Sequence, residues 1–195
     1  MPADVRRDAP TLLFQNQKVW TAWLAKNHGK SFGVWLRLAK KASGLRSVSH
    51  SEALEVALCY GWIDAQTKSD DENAWLQKFT PRAKKSIWSK INRQKALALI
   101  EAGQMKPAGL EEIERAKKDG RWDAAYDSPR AATVPDDLQA ALEGNARAKA
   151  FFSTLNGQNR YAILFRIQTA KKADTRARRI RQFVEMLAKN ERLHP

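Results

Sequence analysis

Four residues at every second position, Trp62, Asp64, Gln66 and Lys68, carry the most concentrated polar chemistry of the chain. Side chains two apart in an extended strand share a face. This run therefore sets an indole, a carboxylate, an amide and an ammonium in one row. Trp75, Gln77 and Phe79 repeat the period in the next segment and could lie opposite. An aromatic floor with a few convergent polar groups can orient a polar ligand, and Phe79, Arg82 and Trp88 complete that candidate set. The same pattern also fits a half-exposed sheet face, with Trp62 buried against a helix and Asp64 paired with Lys68 or Arg82.

Charge is the second source of chemistry. The 195 residues carry a formal net charge of +14 and a pI near 10.1. Such a balance favours anionic partners: nucleic acid, anionic lipid heads or acidic proteins. It equally fits an evenly spread basic surface. No acidic residue occurs between Glu72 and Glu101, where Lys84, Lys85, Lys90 and Arg93 form a candidate anion site. Phe79 and Trp88 are interleaved with them, and aromatic faces among basic groups suit nucleotide rings and phosphates. A second basic stretch, Lys171 to Arg181, adds Arg176 and Arg179 around an apolar stripe of Ile180, Val184 and Leu187. That stripe fits either an anionic surface or docking of the helix onto its own domain.

Other chemistries find little support. Cys59 is the only cysteine, which excludes an intramolecular disulfide and a multi-cysteine metal site. It ends a predicted helix, where the backbone dipole disfavours a thiolate, so an inert thiol is expected. His28, His50 and His194 lie in separate segments without ligand spacing. Walker, Rossmann, HExxH and GxSxG patterns are absent. The expectation is no cofactor, no metal, no assigned catalytic residue and a leaning away from an enzyme.

The elements that must position these groups read as α+β. A lead-in over residues 1–13, with Arg6 and Arg7 and only a short apolar patch, precedes a helix over 16–27. The patch is too short for a signal peptide, and no run approaches a transmembrane span, so a cytoplasmic protein is expected. Phe32 to Leu38 alternates as a strand, with Val34, Leu36 and Leu38 on one face and Trp35 and Arg37 on the other. Ser49 and Glu52 predict a capping box for a helix ending near Cys59. Trp62 to Lys68 and Trp75 to Arg82 predict a hairpin. Beyond Ser86 only helices are expected: 89–102, 107–118, 135–143, 145–155, 158–169 and 174–189. Arg121 to Val134 lacks periodicity and contains Pro129, which marks a linker. The expected organisation is an α+β domain over 14–122, a small antiparallel sheet with flanking helices, followed by a helical region over 135–195.

Several strings are distinctive in combination: EALEVALCYGWID (Glu52 to Asp64), KFTPRAKKSIWSKIN (Lys78 to Asn92), AGQMKPAG (Ala102 to Gly109), NRYAILFRIQTAKKADTRARRI (Asn159 to Ile180) and the closing LHP. The set resembles the YdeI/OmpD-associated, or bacteriocin-protection, family from about Trp20 onward. The resemblance implies a bacterial protein of stress response and antimicrobial resistance, and it carries over no catalytic residue. Contact with an outer-membrane porin would need export, so the reading stands against direct porin contact. The leading expectation is a non-catalytic cytosolic protection protein that binds an anionic or aromatic partner. The alternatives are a nucleic-acid-binding module and an enzyme on a small polar substrate using Asp64.

Overall fold

The computed structural model describes residues 9–195; residues 1–8 of the expected lead-in, with Arg6 and Arg7, lie outside them. The chain divides into two compact units. One runs to Ser86 and resumes over Asn92–Asp123, and the other comprises Ile87–Ile91 and Ala124–Pro195.

The first unit is built on a four-stranded mixed sheet. Its strands are β1 (Thr11–Leu12), β2 (Val34–Ala39), β3 (Trp62–Ser69) and β4 (Ala74–Pro81), in the order β1-β2-β4-β3. β2, β4 and β3 pair antiparallel as the alternating patterns predict, while β1 pairs parallel to β2. β1 lies in the stretch read as a lead-in. Two residues are too few to show periodicity, and the pairing is made by backbone groups, including the Trp35 amide donating to the Pro10 carbonyl at 2.8 Å.

Helices α1 (Gln17–Asn27) and α2 (His50–Cys59) belong to one face of this sheet. Asn16 caps α1 by accepting from the Val19 amide at 3.1 Å. The Ser49/Glu52 capping box of α2 forms as expected. Trp20 and Leu24 of α1 are fully buried. The Trp20 indole donates to the Ala53 carbonyl at 3.0 Å and its ring lies 5.7 Å from that of Phe79. Val34, Leu36 and Leu38 are buried on the same side of β2. Burying bulky rings and branched side chains together supplies the main stabilisation of such a layer.

Helices α3 (Lys90–Glu101) and α4 (Pro107–Lys118) follow. Pro107 starts α4, where a missing amide costs nothing. The boundary between the two units falls within the segment expected as a linker, and the first residues of that segment are packed. Arg121, Trp122 and Ala125 are buried, the Arg93 guanidinium donates to the Trp122 carbonyl at 3.1 Å, and Ser89 bridges to Tyr126. Two aromatic anchors order a stretch that has no helical period.

The second unit adds α5 (Asp136–Glu143), α6 (Ala146–Thr154), α7 (Gly157–Gln168) and α8 (Ala173–Ala188). The stripe of α8 is internal: Ile180, Phe183 and Leu187 pack in one core with Leu138, Phe152 and Ile163.

The approach of α4 to α2 depends on Gly109. A β-carbon there would sit 2.8 Å from the Leu58 carbonyl oxygen and would also overlap the Cys59 carbonyl oxygen and the Met105 sulfur. Two of these obstacles are backbone and cannot turn aside. We expect Gly109→Ala to lower unfolding free energy by about 2 kcal/mol, the usual scale of overpacking, measured by denaturant titration; an unchanged midpoint would contradict this packing.

Candidate functional site: a lysine groove on the open face of the sheet

The single row expected along β3 is divided by a bulge. Asp64 pairs with Phe79, but the next aligned pair is Thr67 with Gln77, so Ala65 and Gln66 together oppose Lys78. An extra residue reverses the alternation beyond it. Trp62 and Asp64 therefore share the face of Phe79 and Gln77. Lys68 falls on the opposite face, in register with Leu76 and Arg37.

The bulge is held from beneath by Gln77, which is only 2% exposed. Its amide nitrogen donates to the carbonyls of Gln66 and Lys78, each at 3.2 Å. A buried amide without partners would cost about 1–3 kcal/mol, so Gln77 and the bulge stabilise each other.

On the helix-covered face the candidate residues are packed by side chains. Trp62 and Phe79 are buried, and the Trp62 indole donates to the His28 carbonyl at 3.1 Å. Arg82 is buried, with its amide donating to the Gly61 carbonyl at 2.9 Å. Trp88, in the second unit, is also buried. Asp64 is paired with neither Lys68 nor Arg82 but with His50, 3.2 Å from its Nε2. Sequence spacing gives no hint of this pair, because its members lie fourteen positions apart, at the start of α2 and in β3.

On the open face the chain forms a groove of about 680 Å³. Trp35 is its floor. Lys68 Nζ lies 4.5 Å and Lys78 Nζ 5.6 Å from the Trp35 ring centroid, both cation–π contacts. Lys30, Phe32 and Gln66 also line it, and no carboxylate occurs among the described lining residues. Gln66 and Lys68 are the only members of the expected ligand set found here. Lys78 belongs to the acid-free basic stretch between Glu72 and Glu101, Trp35 stands on the polar side of an alternating strand, and Lys30 and Phe32 carry no signal in the sequence.

The predicted anion residues are largely engaged in the fold. Lys90 pairs with Asp127 at 2.7 Å, and Arg93 donates to the Trp122 carbonyl. Arg179 donates to the Arg166 carbonyl. Arg176 grips Asp137 through two nitrogens, at 2.6 and 2.8 Å, and reaches the Ile167 carbonyl at 3.1 Å. Lys84 and Lys85 are exposed in the turn after β4. Cys59 is buried, and desolvation pushes its thiol above the usual range. Among the described residues no His, Cys, Asp or Glu group is clustered to hold a metal. No helix among them is long and apolar enough to cross a membrane.

Residues 12–112 match the family model described as Domain of unknown function (DUF8412). That match spans more than half of the 195 residues, and the chain belongs to this family. Residues 131–190 match a second model, described as Bacteriocin-protection, YdeI or OmpD-Associated. The expected resemblance is thus present, and it is placed on the helices of the second unit rather than from Trp20 onward. No curated protein and no solved structure matches the chain.

The Arg176–Asp137 tie sets a pH dependence. Hydrogen bonding from the guanidinium, assisted by its charge, holds the Asp137 carboxyl below the usual range. A depressed folded-state value contributes stability above the unfolded value near 4 and loses it as pH falls through the folded value. Both groups are partly exposed, so screening keeps the effect to about 1 kcal/mol or less. We expect Arg176→Ala to destabilise the chain at pH 7 and the gap to wild type to close toward pH 2, followed by circular dichroism. A gap of equal size at both pH values would show that the tie acts through packing alone.

Proposed function

We propose that this chain is a cytosolic bacteriocin-protection protein that acts without catalysis, by holding an anionic partner in the groove above Trp35. One observation carries the reading. Three ammonium groups, from Lys30, Lys68 and Lys78, line one groove without a carboxylate among its described lining residues. Two of them are placed by the same indole. Like charges gathered in this way repel one another. A bound anion converts that repulsion into attraction and gains charge-assisted hydrogen bonds. The protective role is supported by the description of the family matched over residues 131–190.

The test joins binding to phenotype. Calorimetry with pyrophosphate at low salt should give saturable binding, and a Lys68→Ala/Lys78→Ala double variant should bind at least about tenfold more weakly. Cells lacking the gene should be more sensitive to a panel of bacteriocins or cationic peptides. The wild-type gene should restore resistance and the double variant should not. Full rescue by the double variant would remove the groove from the function.

A second reading, an enzyme using Asp64, is supported by the His50–Asp64 hydrogen bond, since a carboxylate that orients an imidazole can prepare it to accept a proton. Asp64→Asn should then abolish a turnover found in a metabolite screen. Turnover that survives the change would exclude Asp64 from the chemistry.

A further inference from the structure

The groove has a second chemical half, which the lysines do not explain. Phe32 is 80% exposed and lines the same cavity. Full exposure of a phenyl ring forfeits its hydrophobic burial, and a mobile loop would be the ordinary reason for it. Here the loop is pinned. The Lys30 and Ser31 amides both donate to the Asn27 carbonyl at 2.9 Å. Ser31 Oγ accepts from the Gly33 amide at 3.2 Å.

Gly33 itself lies flat on β4 at a φ of +151°. A β-carbon there would meet Thr80 Cγ2 at 3.0 Å and the Phe79 carbonyl oxygen at 3.1 Å. Both the conformation and the close approach require glycine. The loop is therefore tied at each side of Phe32: to the end of α1 through Asn27, and to the sheet through Gly33. The ring is held out at the rim of a cationic cavity.

We infer that the groove takes a small ring-bearing phosphate, of the chemical class of a nucleoside diphosphate. This rests on the anion-binding reading above and adds the ring to it. The phosphate oxygens lie among the ammonium groups of Lys30, Lys68 and Lys78, and the base lies against the Phe32 ring. Base–aromatic stacking needs only a ring face and no hydrogen-bond code, which suits a single unburied phenyl. The Gln66 side chain, carried onto this face by the bulge, adds an amide donor and acceptor to the lining. A volume of about 680 Å³ lies within the range of small-ligand sites. A nucleic-acid strand, by contrast, needs a basic track continuing beyond the groove. Of the residues the sequence offered for such a track, Lys90 and Arg93 are engaged with Asp127 and the Trp122 carbonyl, and Lys84 and Lys85, although exposed, are not among the described residues that line the groove.

The two halves separate in one calorimetric series at low salt, using ADP, pyrophosphate and a single-stranded hexanucleotide against the full chain. ADP should bind at least tenfold more tightly than pyrophosphate. Phe32→Ala should erase that gap while leaving pyrophosphate affinity unchanged. Equal affinity for ADP and pyrophosphate, or a gap that persists in Phe32→Ala, overturns the ring-bearing ligand and leaves the anion site standing. Failure of both pyrophosphate and ADP to bind removes the anion site and this inference with it. A hexanucleotide that binds more than tenfold tighter than ADP overturns the small ligand in favour of a nucleic-acid strand. Phe32 is exposed, so the alanine variant should keep the wild-type melting temperature, and a shifted melt would show that the ring serves the fold instead.

Discussion

The two hydrogen bonds from the Gln77 amide to the carbonyls of Gln66 and Lys78 determine what each face of the sheet can do. Without the bulge, strict alternation would keep Lys68 on the side of Trp62 and Asp64. Thr67 and Ser69, which now fall on the side of Trp62, are both exposed, so the bulge decides which face Lys68 serves rather than whether it is buried. With the bulge, Trp62 stays on the helix-covered face while Gln66 and Lys68 reach the open one. One buried amide thus lets a single strand supply Trp62 to the interior and Lys68 to the groove.

Placing cations is the second constraint. A chain with a net charge of +14 has more basic than acidic groups to pair, yet the structure uses many of its arginines as ties. Arg37 bonds Asp70 at 2.6 Å and also Asp71. Arg121 bonds Asp119 and the Ser86 carbonyl, and Arg176 bonds Asp137. The planar guanidinium suits such multi-point fastening, whereas lysine serves as a mobile point charge. The groove follows the same division. Among its described lining residues the cations are all lysines, and the face of Trp35 positions two of them. An indole attracts an ammonium without neutralising it, so the charge stays available to a ligand.

Much of the architecture was legible because it follows local rules. The Ser49/Glu52 capping box, the alternation of β2 and the amphipathic α8 each carry their signal within a few residues. What failed to show were features made by contacts between distant segments. The bulge in Ala65–Gln66 has no glycine or proline to announce it, and it exists because Gln77 of the neighbouring strand supplies the missing partner. β1 is fixed by the backbone of β2. The packing of 121–126 comes from Trp122 and Tyr126 finding partners far away in sequence. The candidate row on β3 consequently held the right residue types for a site and the wrong geometry. Gln66 and Lys68 reached the groove, while Trp62 and Phe79 became core.

The two family matches fall on different chemistry, and this bears on how function is assigned. The description that mentions bacteriocin protection belongs to residues 131–190, where the apolar stripe of α8 is internal and Arg176 and Arg179 are tied to Asp137 and the Arg166 carbonyl. In that unit Arg176, Arg179 and the apolar stripe are used by the fold, while Lys171, Lys172, Arg178 and Arg181 of the same basic stretch are exposed. The groove lies within residues 9–78, a stretch matched almost entirely by the family whose description names no function. Binding chemistry therefore has to be argued from the groove itself, from three lysines, one indole and one pinned phenyl ring. The proposed protective role rests on a separate observation, the family description matched over residues 131–190.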